Sequence, residues 1–481
     1  MSGIDSETQM IWRVTSIAVI CSSVLLDGCA TIDLRSGFSE VSSNVQGRLA
    51  VPLFWNNGTD LDRQASDRLS NLLKQKLNVD AAVQIGLMNN RDLQAMYSDL
   101  GIAQADLVQA GLLKNPVFDA AITFPTPGGR ADFELTAVMN FLDVLYLPLR
   151  KRIAAARFEE TKARVTGVVL DFAAQVRRAF YAHQSNEQLV EFRKTVVDAL
   201  SASFEVAQRL HEAENLSDLD LMRQRVPLET SKLALRASEA VAVQTREQLS
   251  TLMGVWGKDI EWTIDTRLPE VQPQPLENQN IESVAIERSL DLAVARERIR
   301  AAGEQLGFTQ WTALLPDFGL GTRGERREGP WSVGPMLEFP LPFFDQGQAR
   351  TARATVELRR AQQEYYALAV RIRSAARAIE SQMQGAGDRA LYYRDILLPL
   401  NERVVNETQL QYNAMQVGVF ELIRAREQQI EIASGYVQAL RDYWLARSDF
   451  EQLLSGSLPR QIRAQIGQRS SQTFSNVAEV H

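Results

Sequence analysis

The sequence is poor in cysteine, histidine and aromatic residues, and each shortage excludes a class of protein. Its two cysteines, Cys21 and Cys29, lie near the start of the 481-residue chain, so the remainder can form neither a disulfide nor a cysteine metal cluster. Three histidines and 7% aromatic residues leave little for a histidine metal centre or a base-stacking surface. The 52 basic and 59 acidic residues give a net charge of −7, which offers no general basic surface for nucleic acid.

Long apolar segments and catalytic motifs are missing as well. No segment reaches about 18 consecutive apolar residues, which excludes a polytopic helical membrane protein. The phosphate-binding string GxxxxGKS/T does not occur, and neither does the zinc motif HExxH or an identifiable nucleophile–base pair. We therefore expect no enzyme activity, no cofactor and no metal centre, so the energy for any transport has to come from a partner protein.

The first thirty residues have the pattern of an export signal. A short apolar run at 14–26 has the length of a signal-peptide core. It ends in Leu26-Asp27-Gly28-Cys29, which resembles a bacterial lipobox, although Asp27 stands where a small or apolar residue is usual. The alternative is an ordinary signal peptide with unrelated cysteines. The resulting expectations are a signal peptide at 1–28, a lipid anchor at Cys29 and an N-terminal strap at 29–79.

The remainder of the chain contains an internal duplication with a spacing of roughly 200 residues. ENLSDLDLM (Glu214–Met222) corresponds to MQVGVFELI (Met415–Ile423), which pairs Asp220 with Glu421. Upstream, Asp92-Leu93 corresponds to Asp291-Leu292 at nearly the same spacing. The predicted divisions are repeat 1 at about 80–256, a linker at 257–280, repeat 2 at about 281–457 and a disordered tail at 458–481.

Each repeat predicts a helix, a pair of strands and two long helices. The first helices, Ala81–Leu113 and Ile281–Leu315, would end at prolines. Alternation of apolar and polar residues predicts strands with one apolar face at about 117–124, 132–145, 318–323 and 331–341. Coiled-coil spacing predicts long helices at about 149–213, 217–253, 348–414 and 419–454. The third of these is expected to kink near Gly385, Gly387 and Pro399.

Strands of this length and alternation fit a barrel wall that faces lipid on one side and a lumen on the other. Hairpins packed on a soluble core are the alternative. The long helices shift the balance, because a helix of about 65 residues extends nearly 100 Å and forms a rod rather than a globular domain. Four strands cannot close a pore, and open strand edges are not tolerated in lipid, so several chains must share one barrel. Two copies give eight strands and three give twelve.

With these features, the chain resembles the TolC-like outer-membrane efflux family, in its lipoprotein branch. The resemblance covers about 80–457 and depends on the duplicated pattern, on GLLKNPVFD (Gly111–Asp119), on FPLPFFDQGQAR (Phe339–Arg350) and on the two corresponding turns. It implies a mainly α protein with membrane β-strands. Duplicated helix–hairpin–long-helix repeats build a homotrimer with a 12-stranded β-barrel, continued by a coiled-coil α-helical barrel.

The same resemblance implies a function. The homotrimer would sit in outer-membrane lipid and extend into the periplasm. It would be the passive exit duct of a tripartite efflux or secretion system, joined to an inner-membrane pump by a periplasmic adaptor (membrane fusion) protein. Its cargo would be small molecules or metal ions. The alternative from another class is a periplasmic coiled-coil adaptor or scaffold lipoprotein without a pore.

The resemblance further implies an aperture at the periplasmic turns, where the family's carboxylates line a constriction. Glu421 and Asp220 occupy the carboxylate positions here, with Asp218 nearby. Arg424 replaces a second aspartate of the family, so a mixed ring of Glu421 and Arg424 is the equal alternative to an acidic ring. The simpler interpretation is that these acids only stabilise the N-termini of their helices.

Overall fold

The computed structural model describes residues 33, 35–56, 58, 60–124, 126, 128, 130–272, 280–314, 318–327, 329–341 and 343–459. The expected signal peptide, the Cys29 anchor and residues 460–481 lie outside the described residues. In the described ranges, long helices run away from a four-stranded antiparallel sheet. None of these helices is both long and apolar enough to cross a membrane.

The elements follow the duplicated order that the sequence predicts. In repeat 1 and the segment before it they are α1 (Phe38–Leu49), α2 (Asp60–Leu73), β1 (Lys76–Leu77), α3 (Val79–Asn89), α4 (Arg91–Ala110), β2 (Val117–Thr123), β3 (Asp132–Asn140), α5 (Leu142–Glu212) and α6 (Asp218–Met253). After β4 (Thr263–Ile264), repeat 2 comprises α7 (Ile281–Arg288), α8 (Leu290–Leu314), β5 (Gly319–Arg326), β6 (Ser332–Glu338), α9 (Gln348–Tyr392), a π-helical turn (Tyr393–Leu397), α10 (Leu398–Asn413) and α11 (Val419–Leu454).

The sheet joins the two repeats. Its strand order is β2-β3-β5-β6, and the central pair β3–β5 brings one strand from each repeat into register. One face is polar and carries an ion pair between Glu134 and Arg323 at 2.9 Å. The opposite face is apolar and exposed; its members include Phe118, Ile122, Leu135, Leu320, Val333 and Leu337. The predicted alternation is therefore present in the folded chain.

The strand predicted at 132–145 is too long. It ends at Asn140, whose side-chain oxygen accepts a hydrogen bond from the Leu142 amide at 3.1 Å and turns the chain into α5. This helix therefore begins at Leu142 instead of 149 and contains Pro148. In repeat 2, the strand predicted at 331–341 covers only Ser332–Glu338, ahead of Pro340, which has no amide hydrogen to pair in a sheet.

The single helices predicted before each strand pair are wrong in the same way in both repeats. Each is broken in two by a polar residue that caps the second part. The Asn90 side chain accepts from the Leu93 amide at 3.0 Å, and the Ser289 hydroxyl accepts from the Leu292 amide at 3.1 Å. A side chain that satisfies these amides makes a helix start favourable at a point where apolar periodicity alone predicts continuity.

The interruption expected in 348–414 lies near Pro399 and not at the two glycines. Gly385 and Gly387 lie inside the uninterrupted helix α9. The irregularity is the π-helical turn Tyr393–Leu397, which ends two residues before Pro399, a residue without an amide hydrogen for the helix. At this turn Tyr393 packs on Gly435, where an added Cβ would lie 2.7 Å from the tyrosine oxygen.

The described parts of the predicted strap and linker, and the first two residues of the predicted tail, pack on the body of the protein. The strap contains α1, which is held to α5 by an ion pair between Glu40 and Lys162. The linker contains the fully buried Trp262, and Leu268 and Val271 pack in the second core. Leu458 and Pro459, assigned to the disordered tail, are buried as well. Apolar side chains of these segments pack in the cores, although the segments have no periodic pattern that predicts it.

Each repeat has its own hydrophobic core, and polar contacts connect the two. The first core includes Tyr97, Val169, Phe180 and Leu249, and the second includes Ile372, Ile379 and Leu440. Between them the buried Asp171 of α5 accepts hydrogen bonds from Gln452 at 2.8 Å and from the Ser457 hydroxyl. The body of the molecule is thus one packed unit from which the strands and the helix tips extend.

His183 is the one described histidine buried in this body. Its Nδ1 lies 3.2 Å from the Thr245 hydroxyl, its Nε2 has no hydrogen-bond partner, and its ring meets the edge of Trp262. Glu187 is 3.9 Å away, and Arg246 stacks on Trp262 at 4.0 Å. Burial, and after it the Arg246 charge, lower the pKa of His183 from 6.5 to about 4.

We predict that this histidine makes the fold sensitive to acid. The unfolded chain takes up the proton near pH 6.5 and the folded chain only near pH 4, so stability present above pH 6.5 is lost as the pH falls toward 4. The loss is about 3 kcal/mol at most. His183→Gln should lose less stability than the wild type between pH 7.5 and 4.5, measured by thermal unfolding followed by circular dichroism. The control His211→Gln should behave like the wild type, and equal losses in all three proteins would contradict the assignment.

Candidate periplasmic aperture

The two long-helix hairpins end in turns of the same geometry. In repeat 1 the turn after α5 places Glu214 at φ 57°, and in repeat 2 the turn after α10 places Met415 at φ 58°. This left-handed region favours glycine, and neither residue is one. The equivalence of the two turns, inferred from the sequence alignment of the repeats, is thus visible in the backbone.

The repeat 1 turn carries two of the predicted aperture residues. Ser217 caps α6: its hydroxyl accepts a hydrogen bond from the Asp220 amide at 3.1 Å. Asp220 also pairs with Arg223 at 3.3 Å, and Asp218 lies 3.3 Å from His211 Nε2. Both aspartates are in the first turn of the helix, where a negative charge is favourable, so the simpler capping role is present as well.

The repeat 2 turn carries the other two. Glu421 lies in the first turn of α11 and pairs with Arg424 at 3.2 Å. Gly418 precedes this helix and offers no side-chain cap. Each predicted carboxylate therefore has a basic neighbour, and the surface of the tips is mixed in charge. These pairs are exposed, so each contributes only about 0–1 kcal/mol to stability and remains available to a solute.

One contact that the sequence did not predict brings the two tips together. The Arg223 guanidinium lies over the Phe420 ring, 5.9 Å from its centre. Neither Arg223 nor Phe420 is among the predicted aperture residues. The sequence did contain a signal for this contact, because Phe420 directly precedes the predicted aperture residue Glu421. Asp218, Asp220, Glu421 and Arg424 thus belong to neighbouring turns at one end of the helices.

The tips provide charge but no metal centre within the described residues. No group of three or more His, Asp or Glu side chains there is arranged to hold a metal ion. Paired acids and bases in a narrow passage can instead attract ions and bias the sign of those that cross.

The chain is similar to known channel proteins over most of its length. It is 22% identical over 389 residues to the cobalt-zinc-cadmium resistance protein CzcC of Cupriavidus metallidurans, covering 79% of this chain and 90% of that protein. The solved structure of the transmembrane channel protein CusC superposes with a TM-score of 0.67 at 14% identity, covering 79% and 92% of the two chains. The CmeC outer membrane channel of Campylobacter jejuni gives 0.62 at 15% identity, covering 88% and 95%. No protein-family model matches the chain.

These matches show that the chain has the fold of outer-membrane channel proteins. The resemblance to TolC-like efflux proteins is confirmed in this sense, and with it the fold class of duplicated repeats that combine membrane strands with long helices. Within that class, the chain is similar in sequence to the cobalt-zinc-cadmium resistance protein CzcC.

We predict that Ser217 holds the first turn of α6 in place. Ser217→Ala leaves the Asp220 amide without its acceptor and should cost about 1 kcal/mol locally. Amide hydrogen exchange of Leu219–Leu221 should accelerate roughly fivefold. Ser203→Ala, an exposed position nine residues before the end of α5, should leave these rates unchanged. Unaltered exchange in the Ser217 variant would show that the turn is held by its ion pairs instead.

Proposed function

We propose that this protein is the outer-membrane exit duct of a tripartite efflux system, a passive conduit rather than an enzyme. The observation that carries the proposal is a sheet with an exposed apolar face that continues directly into helices of up to 71 residues. The helix α5 is about 105 Å long, which suits a tunnel that crosses the periplasm.

The sheet fits a membrane wall. Its apolar face offers Phe118, Ile122, Leu135 and Leu337 to the surroundings, and in water this exposure would be unfavourable by about 25 cal/mol for each Å². The opposite face presents Asp119, Glu134 and Arg323, which suit a water-filled lumen.

The edges of the sheet require further copies of the chain. Within the described sheet β2 pairs only with β3, and β6 pairs only with β5. Unpaired backbone groups are not tolerated in lipid, so the free edge of one copy must pair with the free edge of the next. Three copies would close a twelve-stranded barrel of a width that leaves an aqueous lumen. The family resemblance favours this homotrimer over a dimer.

The helices carry a second unpartnered surface, which we call the α6 stripe: Leu219, Met222, Val226 and Leu233. These residues lie on one side of α6, and Leu233 is 70% exposed. In repeat 2, Ile396, Leu400 and Val404 form an exposed row at helical spacing. Packing of the α6 stripe against this row of the neighbouring copy would close the helical barrel below the sheet.

Assembly through this interface can be tested by mutation. Leu233→Glu puts a charge into the proposed interface between copies and should convert the detergent-extracted trimer to monomers, as measured by light scattering. Lys232→Glu, one position along and outside the α6 stripe, should leave the trimer intact. A trimer that survives Leu233→Glu would contradict this interface. A water-soluble monomer in the wild type, without channel activity, would favour the pore-free scaffold.

The remaining parts of the proposal concern attachment and partners. Acylated Cys29 would anchor the strap in the outer membrane. A periplasmic adaptor and an inner-membrane pump would supply cargo and energy, because no energy-coupling motif occurs in this sequence. The similarity to a protein named for cobalt, zinc and cadmium resistance supports metal ions as one class of cargo, beside small organic molecules.

A further prediction concerns the aperture. We propose that its constriction is lined by Glu421, Arg424, Asp218 and Asp220. Glu421→Ala removes a side chain and a negative charge from each copy, so single-channel conductance in planar bilayers should rise and cation preference should fall. Glu402→Ala, an exposed acid further from the tip, is the control. Unchanged conductance and selectivity in the Glu421 variant would remove this residue from the aperture.

A further inference from the structure

The outer side of α5 changes from apolar to basic within its first three turns. Val144, Leu145 and Pro148 are exposed, and Lys151 and Arg152 follow on the same side. The spacing of seven residues from Val144 to Lys151, and from Leu145 to Arg152, places each pair on one line along the helix. We call these five residues the collar.

The collar faces away from the lumen side of the sheet. Asp143, on the other side of α5, contacts Lys114 at 3.5 Å, and Lys114 lines the same cleft as the polar-face residues Asp119 and Glu134. At 100° per residue, Leu145 and Arg152 lie roughly opposite Asp143, and Val144 and Lys151 lie about a quarter turn from it. The collar therefore continues the apolar face of the sheet, which ends nearby at the exposed Phe141.

Other exposed apolar residues lie at the same end of the sheet. Trp311, near the end of α8, is 56% exposed and is seven residues from Glu304, which contacts Arg152 at 3.7 Å. Trp311 is thus on the collar side of its helix. After β6, Phe344 is 95% exposed. Aromatic side chains of this kind are typical of the boundary between lipid tails and headgroups.

The length of the collar along the helix axis is close to the thickness of one headgroup layer. From Leu145 to Arg152 the helix rises about 10 Å, and a headgroup layer is about 5–8 Å thick. Long basic side chains extend toward the phosphate groups while their stems stay in apolar surroundings. Arg152 pairs with Glu304 at 3.7 Å, so within the described residues Lys151 supplies the charge without an ion pair at this level.

We propose that the collar binds anionic phospholipid headgroups of the periplasmic leaflet, with the apolar residues against the acyl chains and Lys151 and Arg152 on the phosphates. This proposal rests on the proposed function, because it requires the sheet to be in a membrane. It adds a lipid-recognition site on the helical part of the chain, below the barrel.

The test measures lipids retained by the full-length trimer in native mass spectrometry, from nanodiscs of mixed phosphatidylglycerol and phosphatidylethanolamine. The variant Lys151→Gln/Arg152→Gln should retain phosphatidylglycerol at least fivefold less than the wild type, with phosphatidylethanolamine unchanged. Lys194→Gln/Lys258→Gln, which removes two exposed charges far from the sheet, should retain both lipids normally. The conservative variant Lys151→Arg/Arg152→Lys should restore binding.

Each of the remaining possible results would contradict a specific part of the proposal. If channels still form in bilayers, equal retention by the collar variant and the wild type, or an equal loss in the control, would refute the collar as a lipid-binding site. Displacement of phosphatidylglycerol by millimolar inorganic phosphate would identify a free-anion site in place of a lipid site. A wild-type protein that forms no channels in any bilayer would overturn the proposed function, and the collar with it.

Discussion

The backbone of the four-stranded sheet sets the constraint on which the rest of the structure depends. Every strand needs a hydrogen-bonded neighbour on both sides if lipid surrounds it, and within the described part of the chain only β3 and β5 of this sheet have two such neighbours. The free edges of β2 and β6 therefore call for other copies. The α6 stripe and the exposed row Ile396, Leu400 and Val404 also need apolar partners from other copies. The strands and the helices therefore favour the same ring of copies.

The duplication provides two similar halves that have diverged in their charges and helix geometry. The turns after α5 and α10 keep a left-handed residue at the same place, Glu214 in one and Met415 in the other. The long helix of repeat 1 is continuous, whereas that of repeat 2 contains a π-helical turn packed on Gly435. The proposed ring of such halves would alternate two kinds of hairpin and would give the proposed aperture paired acids and bases instead of a uniform charge.

Sequence reasoning succeeded where a pattern repeats many times and failed where one side chain decides. Alternation over β3 and coiled-coil spacing along α5 are sums over many residues, so tertiary contacts rarely reverse them. The breaks at Asn90 and Ser289 and the end of β3 at Asn140 each depend on a single polar side chain that accepts a backbone hydrogen bond. The burial of Trp262 depends on a core built from distant segments, which no local window contains.

For the candidate aperture, the sequence named the residues but not their partners. Asp220, Glu421 and Arg424 follow from the alignment of the repeats, while the Arg223–Phe420 contact requires two hairpins to meet in space. By itself, the sequence determined the duplication, the amphipathic strands and the long helices, because these arise from periodicity along the chain. Only the tertiary structure decided which face of α5 is turned outward and which of its charges pair across the fold, as Lys162 does with Glu40 and Arg152 with Glu304, because these partners lie more than 100 residues away.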